Sequence, residues 1–215
     1  MANLLEEVVL LAYRDDKGRN AVPYLQWSLA GAALLELALR GRVAVDDSGR
    51  LDVVDPTPVG DPAVDEALAR LSRSRVRHIP SSWVQILAGV ELRALVLDGL
   101  VDRGVLTHDR GRALGIVPVD RYRPVDPGVE AEVRARLDRA FREAAGTDAR
   151  TAALAGIAGA TFMEPATLPE EKPGAVTAAF RELADRFAEV KPFVDGVRLA
   201  ITVFRAGAGS VVTGS

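Results

Sequence analysis

The sequence holds few side chains of the kinds that carry out catalysis or bind metals. It has no cysteine and two histidines, His78 and His108, which lie in separate segments. Without cysteine, a disulfide framework, a thiolate metal site and a cysteine nucleophile are all excluded. Neither histidine belongs to an H-E-x-x-H zinc motif, and no Walker, G-x-G-x-x-G or G-x-S-x-G motif is present. The sequence therefore offers no motif for these chemistries, and we expect no metal and no cofactor.

One carboxylate stands out by its surroundings. Glu36 interrupts a stretch that is otherwise rich in leucine and alanine. A buried carboxylate with a perturbed pKa can act as a catalytic acid. More often such a group pairs with an arginine or reaches the edge of its helix, and we favour this structural role for Glu36.

Arginine supplies most of the positive charge. The densest basic run comprises Arg70, Arg73, Arg75, Arg77 and His78. Such a run could attract an anionic surface, at about 1 kcal/mol per charge near a charged leaflet, although a solvated loop is the commoner explanation. The net charge of −3 and the pI of about 5.5 argue against a general nucleic-acid-binding protein.

The element that must position these side chains is the stretch from Tyr24 to Val45, which we expect to organise the whole chain. It reads YLQWSLAGAALLELALRGRVAV and is apolar on nearly every face. Such a helix is either a core helix or a membrane span, and this one is too short to span, since a span needs about 20 apolar residues. The stretch predicts a buried central helix, capped by Gly41 and followed by a strand at Val43–Val45.

Turn and capping residues predict the elements on either side. Asp46–Gly49 would join the strand at Val43–Val45 to a return strand at Leu51–Val54. A proline-rich loop then leads to a helix with Asp61 as N-cap and Pro62 in its first turn. The run Leu4–Tyr13 fits a helix or a strand by pattern alone, and we favour a helix.

A second hairpin is predicted over residues 105–119, with a first strand at 105–107, a turn at 108–112 and a return strand at 113–119. Its tip region would carry apolar residues flanked by arginines: Leu114, Ile116 and Val117 with Arg110, Arg112, Arg121 and Arg123. An apolar tip ringed by arginine suits shallow insertion into an anionic bilayer interface. An exposed apolar edge needs a cover, either lipid or a second subunit; alternatively, these side chains pack on the helical body.

Beyond Pro127 the pattern is helical to the end of the chain. Val133, Leu137 and Phe141 recur at helical spacing, and three further apolar segments follow at 148–162, 177–190 and 193–204. The predicted fold class is mainly α: a single globular helical domain over 1–206, with a buried central helix, two small β-hairpins of which one projects, and a flexible tail at 207–215. No signal peptide is recognisable, so we expect a cytoplasmic protein, with peripheral association at the inner membrane face as an option.

Five sequence blocks, in order, resemble the Golgi phosphoprotein 3 family from residue 4 to about residue 205. They are LLEEVVLLAYRDDKG, LLELALRGRV, Gly60-Asp61 with DEALARL, SSWVQILAG and LVDRGVLT. The resemblance implies a mostly helical domain with a projecting hairpin. It also implies a peripheral membrane protein that binds phosphatidylinositol 4-phosphate rather than an enzyme. It also implies that the hairpin takes part in membrane contact and in self-assembly, and hence a homo-oligomer formed through residues 105–119.

The resemblance further implies a site for a lipid head group. The family has an aromatic residue before the central helix, an arginine within it, and two arginines before the Leu-Val-x-x-Gly-Val-Leu block. Here Tyr24 is the nearest aromatic residue and Arg93 matches one arginine, whereas Ala30 and Val90 stand at the other two positions. Lipid binding is therefore assigned to Arg93 and Tyr24, supported by the hairpin arginines Arg110, Arg112 and Arg121. Arg93 could instead be a solvated arginine that pairs with Glu91.

Three functions are open at this point. The first is a peripheral adaptor that binds anionic phospholipid head groups. The second is a soluble oligomeric scaffold of the same fold that has lost the lipid site. The third is a nucleic-acid-binding regulator, because Leu37–Val43 and Leu100–Leu106 share the order helix, arginine, glycine, strand, as in a winged helix. Ordinary glycine capping explains that order equally well, so we expect no nucleic-acid partner.

Overall fold

The computed structural model describes residues 2–13, 18, 20–113 and 117–209, and for residues 112, 113, 117, 118, 208 and 209 only the backbone. The chain is 61% helical and mainly α, as predicted. In chain order the elements of the described residues are α1 Leu4–Ala12, α2 Leu25–Leu39, β1 Val43–Val45, β2 Leu51–Val53, α3 Pro62–Arg73, α4 Pro80–Ala88, α5 Leu92–Asp102, β3 Leu106–Ala113, β4 Val117–Pro124, α6 Pro127–Arg142, α7 Ala149–Ala160, α8 Glu164–Thr167, α9 Pro173–Asp185 and α10 Lys191–Gly209.

Helix α2 is the central helix that the sequence predicts. It packs against α1, α3, α4, α5, α7 and α10, and its residues from Ser28 to Leu37 are all buried. Close approach of α10 depends on Gly31, because a Cβ at this position would lie 2.4 Å from Cγ2 of Val197. Helix α2 is apolar on all sides because other helices pack against it on all sides.

The first segment is a helix, as favoured from its pattern. Asn3 and Glu6 form a capping box, in which the Asn3 side chain accepts from the Glu6 N–H and the Glu6 carboxylate accepts from the Asn3 N–H. Helix α1 is buried throughout, between α2, α5, α6 and α7. This burial explains why its acidic pair, Glu6 and Glu7, must find arginine partners.

Helices α2 and α5 end in the same motif. Gly41 and Gly104 both have a φ of 67°, a left-handed conformation that glycine adopts without steric cost. After α2, the N–H of Arg42 donates to the carbonyl of Leu37 and that of Gly41 to the carbonyl of Ala38, which is the Schellman pattern, and α5 repeats it. Glycine capping thus accounts for the two similar sequence segments.

The two hairpins are separate two-stranded antiparallel sheets. In the first, Val43 pairs with Val53 and Val45 with Leu51, close to the prediction. In the second, the prediction of a turn at 108–112 is wrong, because β3 continues to Ala113 and pairs in register from Leu106↔Pro124 to Ala113↔Val117. Its strands are eight residues long and largely solvent-exposed, so the polar run His108-Asp109-Arg110 fits a strand without alternating apolar residues.

The buried carboxylate Glu36 has a structural role, as favoured. Its side chain is 1% exposed and accepts hydrogen bonds from the Leu4 N–H at 2.9 Å, from Nε of Arg40 at 2.7 Å and from Nη1 of Arg150 at 3.0 Å. Burial raises the pKa of Glu36, but these donors outweigh burial and hold the pKa below its ordinary value. The carboxylate therefore stays charged and joins α1, α2 and α7.

The basic run at the end of α3 and in the following loop is partly neutralised by local carboxylates. Arg70 pairs with Glu66 at 2.7 Å, one helical turn away. Arg77 pairs with Asp46 and, at 2.6 Å, with Asp52, which ties the loop after α3 to the first hairpin. These contacts agree with the interpretation of this run as an ordinary solvated surface. Within the described residues, no helix is both long and apolar enough to cross a membrane.

Candidate functional site

Arg93 lies in the first turn of α5, where its side chain is exposed but held in place. Its Nε donates a hydrogen bond to the hydroxyl oxygen of Tyr13 at 2.6 Å, and its guanidinium carbon lies 5.7 Å from the centre of the Tyr13 ring. Among the residues that the structure describes, no carboxylate is within ion-pair distance of Arg93, so it does not pair with Glu91. The result is a positioned cation whose charge no carboxylate of the described residues neutralises.

Tyr13 connects Arg93 to the second hairpin. Its ring meets the ring of Tyr122 edge to face at 5.6 Å, and Tyr122 stacks on His108 with ring centres 4.5 Å apart. Nε2 of His108 lies 2.8 Å from the carboxylate of Asp120. Burial, followed by the charge of Asp120, raises the pKa of Tyr122. An unbroken line of contacts therefore runs from α5 through α1 to β4.

The connection between α1 and α2 also reaches the hairpin. The N–H of Tyr122 donates to the carbonyl of Gly18 at 2.8 Å, so Gly18 covers part of the outer edge of β4. Gly18 has a φ of 57°, and a Cβ there would lie 2.9 Å from the carbonyl oxygen of Tyr122. Glycine is required by both its conformation and this close approach. The base of the hairpin is thus fixed to the helical body.

The hairpin arginines do not share one face. Successive residues of a strand point to opposite sides, so Arg110 lies on the face of Tyr122, whereas Arg121 lies on the other face. Arg110 is highly exposed and its Nε is 3.9 Å from the carboxylate of Asp120. The guanidinium of Arg121 lies beside Gly111, where a Cβ would be 3.4 Å from Nη1. Arg110 therefore belongs to the side of the hairpin that faces Arg93.

The predicted apolar tip falls outside what the structure describes. Leu114 and Ile116 lie beyond the described residues. Arg112 and Val117 belong to β3 and β4, opposite Pro118 and Ala113 respectively, but their side chains are likewise not described. Their assignment to membrane insertion or oligomer contact stays a prediction.

Tyr24 belongs to a different cluster from Arg93. It is the N-cap residue of α2, and its ring contacts the rings of Trp27, Phe162 and Phe204 at 5.9, 5.8 and 6.3 Å between centres. The two residues assigned to one lipid site therefore belong to separate groups of side chains. In the sequence, the one local signal for this cluster is the Tyr24-x-x-Trp27 spacing, which places two aromatic rings on one helix face. Phe162 and Phe204 have no such signal.

Other features of the surface lie apart from these residues. A groove of about 700 Å³ runs between α6 and residues 167–171 and contains none of the predicted site residues. Among the described residues, no group of three or more histidine, aspartate or glutamate side chains could hold a metal ion. The arrangement around Arg93 can offer charge and hydrogen-bond donors to an anion, which is binding rather than catalytic chemistry.

Comparison with known proteins finds relatives that match about half to two thirds of this chain. Vacuolar protein sorting-associated protein 74 of Eremothecium gossypii is 33% identical over 127 residues, which are 48% of this chain and 38% of that protein. The protein of the same name from Schizosaccharomyces pombe is 25% identical over 158 residues, which are 62% of this chain and 46% of that protein. The matches thus span less than half the length of either relative.

A family model, Golgi phosphoprotein 3 (GPP34), matches residues 4–203, which is nearly the whole chain and includes every helix from α1 to most of α10. The resemblance to this family, which the sequence indicates from residue 4 to about residue 205, is thereby confirmed. The chain belongs to the Golgi phosphoprotein 3 (GPP34) family.

Proposed function

We propose that this protein is a non-enzymatic peripheral membrane protein that binds anionic phospholipid head groups of the phosphatidylinositol 4-phosphate type. Arg93 and the arginines of the β3–β4 hairpin make the polar contacts. The observation that carries the proposal is the state of Arg93: it is exposed, fixed by Tyr13, and without a carboxylate partner among the described residues. Such a guanidinium is ready to form charge-assisted hydrogen bonds with a phosphate.

The second candidate is a soluble scaffold that has kept the fold and lost the lipid site. One observation favours it: Ala30, at the position of the helix arginine implied by the family resemblance, is completely buried in the core. No cation reaches the surface from that position in this chain. A phosphate that is normally held by several arginines would then depend on Arg93 and on the charges of the hairpin.

Sedimentation with vesicles separates the two candidates. We would use vesicles of phosphatidylcholine alone, of phosphatidylcholine with phosphatidylserine, and of phosphatidylcholine with phosphatidylinositol 4-phosphate. Membrane binding predicts sedimentation with one or both anionic sets, weakened by salt. Arg93→Gln should lower the affinity at least about tenfold, since a hydrogen bond to a charged group contributes about 1.5–3 kcal/mol.

The matched control is Arg181→Gln, which removes the same charge from an exposed position on α9, 3.9 Å from Asp185. It should bind vesicles like the wild-type protein. Absence of binding to all three vesicle sets would reject the membrane function and leave the scaffold. Equal loss in both variants would mean that only net charge matters and that Arg93 has no special part.

A further inference from the structure

A surface apart from Arg93 carries an unusual concentration of exposed apolar side chains. It is formed by the start of α2, the end of α7 and the second half of α10, and we call it the aromatic face: Tyr24, Trp27, Phe162, Leu199, Val203 and Phe204. Four of its members have large exposed fractions, with 42% for Phe162, 48% for Leu199, 50% for Val203 and 46% for Phe204. Scattered apolar residues are normal on a protein surface, whereas a contiguous group indicates an interaction site.

The rings of this surface contact one another. Trp27 and Phe204 are 4.5 Å apart between centres, and Tyr24 contacts Trp27, Phe162 and Phe204. Helix α10 buries one side against α2 and α4, through residues such as Val197 and Ile201, and is apolar on its outward side as well. The outer side of α10 carries exposed apolar residues that no other described element covers.

The backbone is strained where it presents one of these rings. Phe162 has a φ of 61° and occupies the position after the C-cap of α7, where the N–H of Met163 donates to the carbonyl of Ala158. This is the same motif that ends α2 and α5, but those helices use Gly41 and Gly104 there. A bulky residue rarely adopts this conformation. Strain that persists at an exposed phenylalanine points to a function of the ring rather than to folding.

The two helix segments that carry most of the aromatic face contain no acidic residue. After Asp195 the sequence contains no acidic residue, and none lies between Tyr24 and Leu35 at the start of α2. The guanidinium of Arg205 lies 5.2 Å from the centre of the Phe162 ring. Among the described residues, no carboxylate is within ion-pair distance of Arg205, whereas Arg198 is paired with Asp195 at 2.7 Å. The surface therefore combines apolar rings with the guanidinium of Arg205, which has no acidic partner among the described residues.

We propose that the aromatic face enters the boundary between head groups and acyl chains of a phospholipid bilayer, with Arg205 at a lipid phosphate. The inference rests on the proposed membrane function and adds an apolar contact to the electrostatic one made by Arg93. A tyrosine such as Tyr24 suits this boundary because it has an apolar body and a polar end. Arginine can keep its charge at the head groups while its stem lies along apolar surface.

A bilayer fits this surface better than a second copy of the chain. In a two-fold symmetric dimer the same patch faces itself, so two Arg205 side chains would be brought to one interface, and neither has a carboxylate within ion-pair distance in the part of the chain that the structure describes. An anionic lipid supplies the missing negative charge. The apolar area would be covered in the same step.

The test uses the wild-type chain, because Trp83 is buried and only Trp27 is placed to report contact with lipid. With vesicles of phosphatidylcholine and phosphatidylserine, the emission of Trp27 should move to shorter wavelength. The same lipids brominated on the upper acyl chain should quench it. Phe162→Asn and Val203→Gln should each weaken vesicle binding at least about threefold without changing its dependence on salt. Asparagine tolerates the left-handed conformation, so Phe162→Asn should remain folded.

The matched control is Val54→Gln, which removes a valine that is even more exposed than Val203, at the end of the first hairpin, and should bind like the wild-type protein. Vesicle binding with no change of Trp27 emission and with unaffected variants would overturn the inference and leave the function of Arg93 intact. A dimer that the two variants dissociate, with unchanged vesicle binding, would assign the surface to self-association instead. Absence of sedimentation with every vesicle set would overturn both proposals.

Discussion

Arg93 and Tyr13, eighty positions apart in the chain, are joined by a hydrogen bond of 2.6 Å from the guanidinium to the hydroxyl oxygen. Burial raises the pKa of Tyr13, and the charge of Arg93 only partly offsets this, so the hydroxyl stays neutral at physiological pH. A neutral hydroxyl orients the guanidinium without neutralising it. The same tyrosine ring also rests against Tyr122 of the hairpin, so the position of Arg93 depends on both α1 and β4.

Tyr13→Phe should therefore weaken binding to anionic vesicles without removing any charge. The ring and its contact with Tyr122 remain, but Arg93 loses its acceptor and must be ordered by the lipid itself. We expect a loss of about two- to fivefold, smaller than that of Arg93→Gln because a single hydrogen bond contributes about 1 kcal/mol. Vesicle titration of both variants measures the difference. Wild-type affinity in Tyr13→Phe would mean that the hydrogen bond plays no part in binding.

Arg110 and Arg121 should differ in their effect, although both are hairpin arginines. Arg110 lies on the face of Tyr122, toward Arg93, and Arg121 lies on the opposite face beside Gly111. Near an anionic leaflet, one cation contributes about 1 kcal/mol. Arg110→Gln should accordingly lower the affinity about fivefold, and Arg121→Gln should have a smaller effect. Each variant controls for the charge change in the other. A larger loss of affinity in Arg121→Gln than in Arg110→Gln would show that the opposite face of the hairpin contacts the lipid.

Replacing the buried Glu36 should strongly destabilise the fold. Glu36→Gln leaves Arg40 and Arg150 without their shared carboxylate, and breaking a buried ion pair costs about 3–5 kcal/mol. The pKa of Glu36 is lowered in the folded state, so its contribution is present above the unfolded pKa of about 4.3 and is lost as pH falls through the lower folded value. Urea unfolding should show a difference between variant and wild type that is large at pH 7 and shrinks below about pH 4.

Glu7 should behave differently from Glu36, although both carboxylates lie near the guanidinium of Arg150. Burial raises the pKa of Glu7, and the opposing charges of Arg150 and Arg136 do not fully offset it. Its contribution to stability is therefore present below the unfolded pKa and is lost as pH rises through the higher folded value. Glu7→Gln resembles the protonated form, so it should destabilise the fold less than Glu36→Gln does. Its free energy of unfolding, relative to that of the wild-type protein, should be most favourable at neutral pH. An equal cost at pH 7 would contradict the raised pKa.

The parts of the fold that could be predicted from the sequence are those set by local chemistry. Asp61 and Pro62 predict the start of α3, and the structure has Asp61 accepting from the N–H groups of Ala63 and Val64. Gly41 predicts the end of α2 because the left-handed conformation needed there is costly for other residues. In each case the residues that specify the element lie within one helical turn of it.

The parts that could not be predicted depend on contacts between distant segments. The β3–β4 hairpin is exposed on much of its surface, so its strands lack the alternation that would have distinguished Asp109-Arg110 from a turn. Tyr24 and Phe204 lie near opposite ends of the chain and meet because α2 packs on α10. No local sequence pattern indicates that contact. The sequence alone therefore assigns Tyr24 to a site with Arg93 rather than to the aromatic face.

The packing of α10 on α4 yields a final prediction that is independent of any ligand. Gly196 lies where a Cβ would come within 2.7 Å of Cβ of Pro80 and 3.0 Å of the backbone nitrogen of Ser81. The clash is partly with backbone at the start of α4, so a side-chain rotation cannot relieve it, and Gly196→Ala should lower stability by about 1–3 kcal/mol. Gly174, near the start of α9, has open space around its Cβ position, so Gly174→Ala should raise stability by about 0.4–1 kcal/mol. Urea unfolding of the two variants measures both changes in the free energy of unfolding. A Gly196→Ala protein as stable as the wild type would mean that α10 can shift away from α4. Such a shift would also loosen the support of the aromatic face.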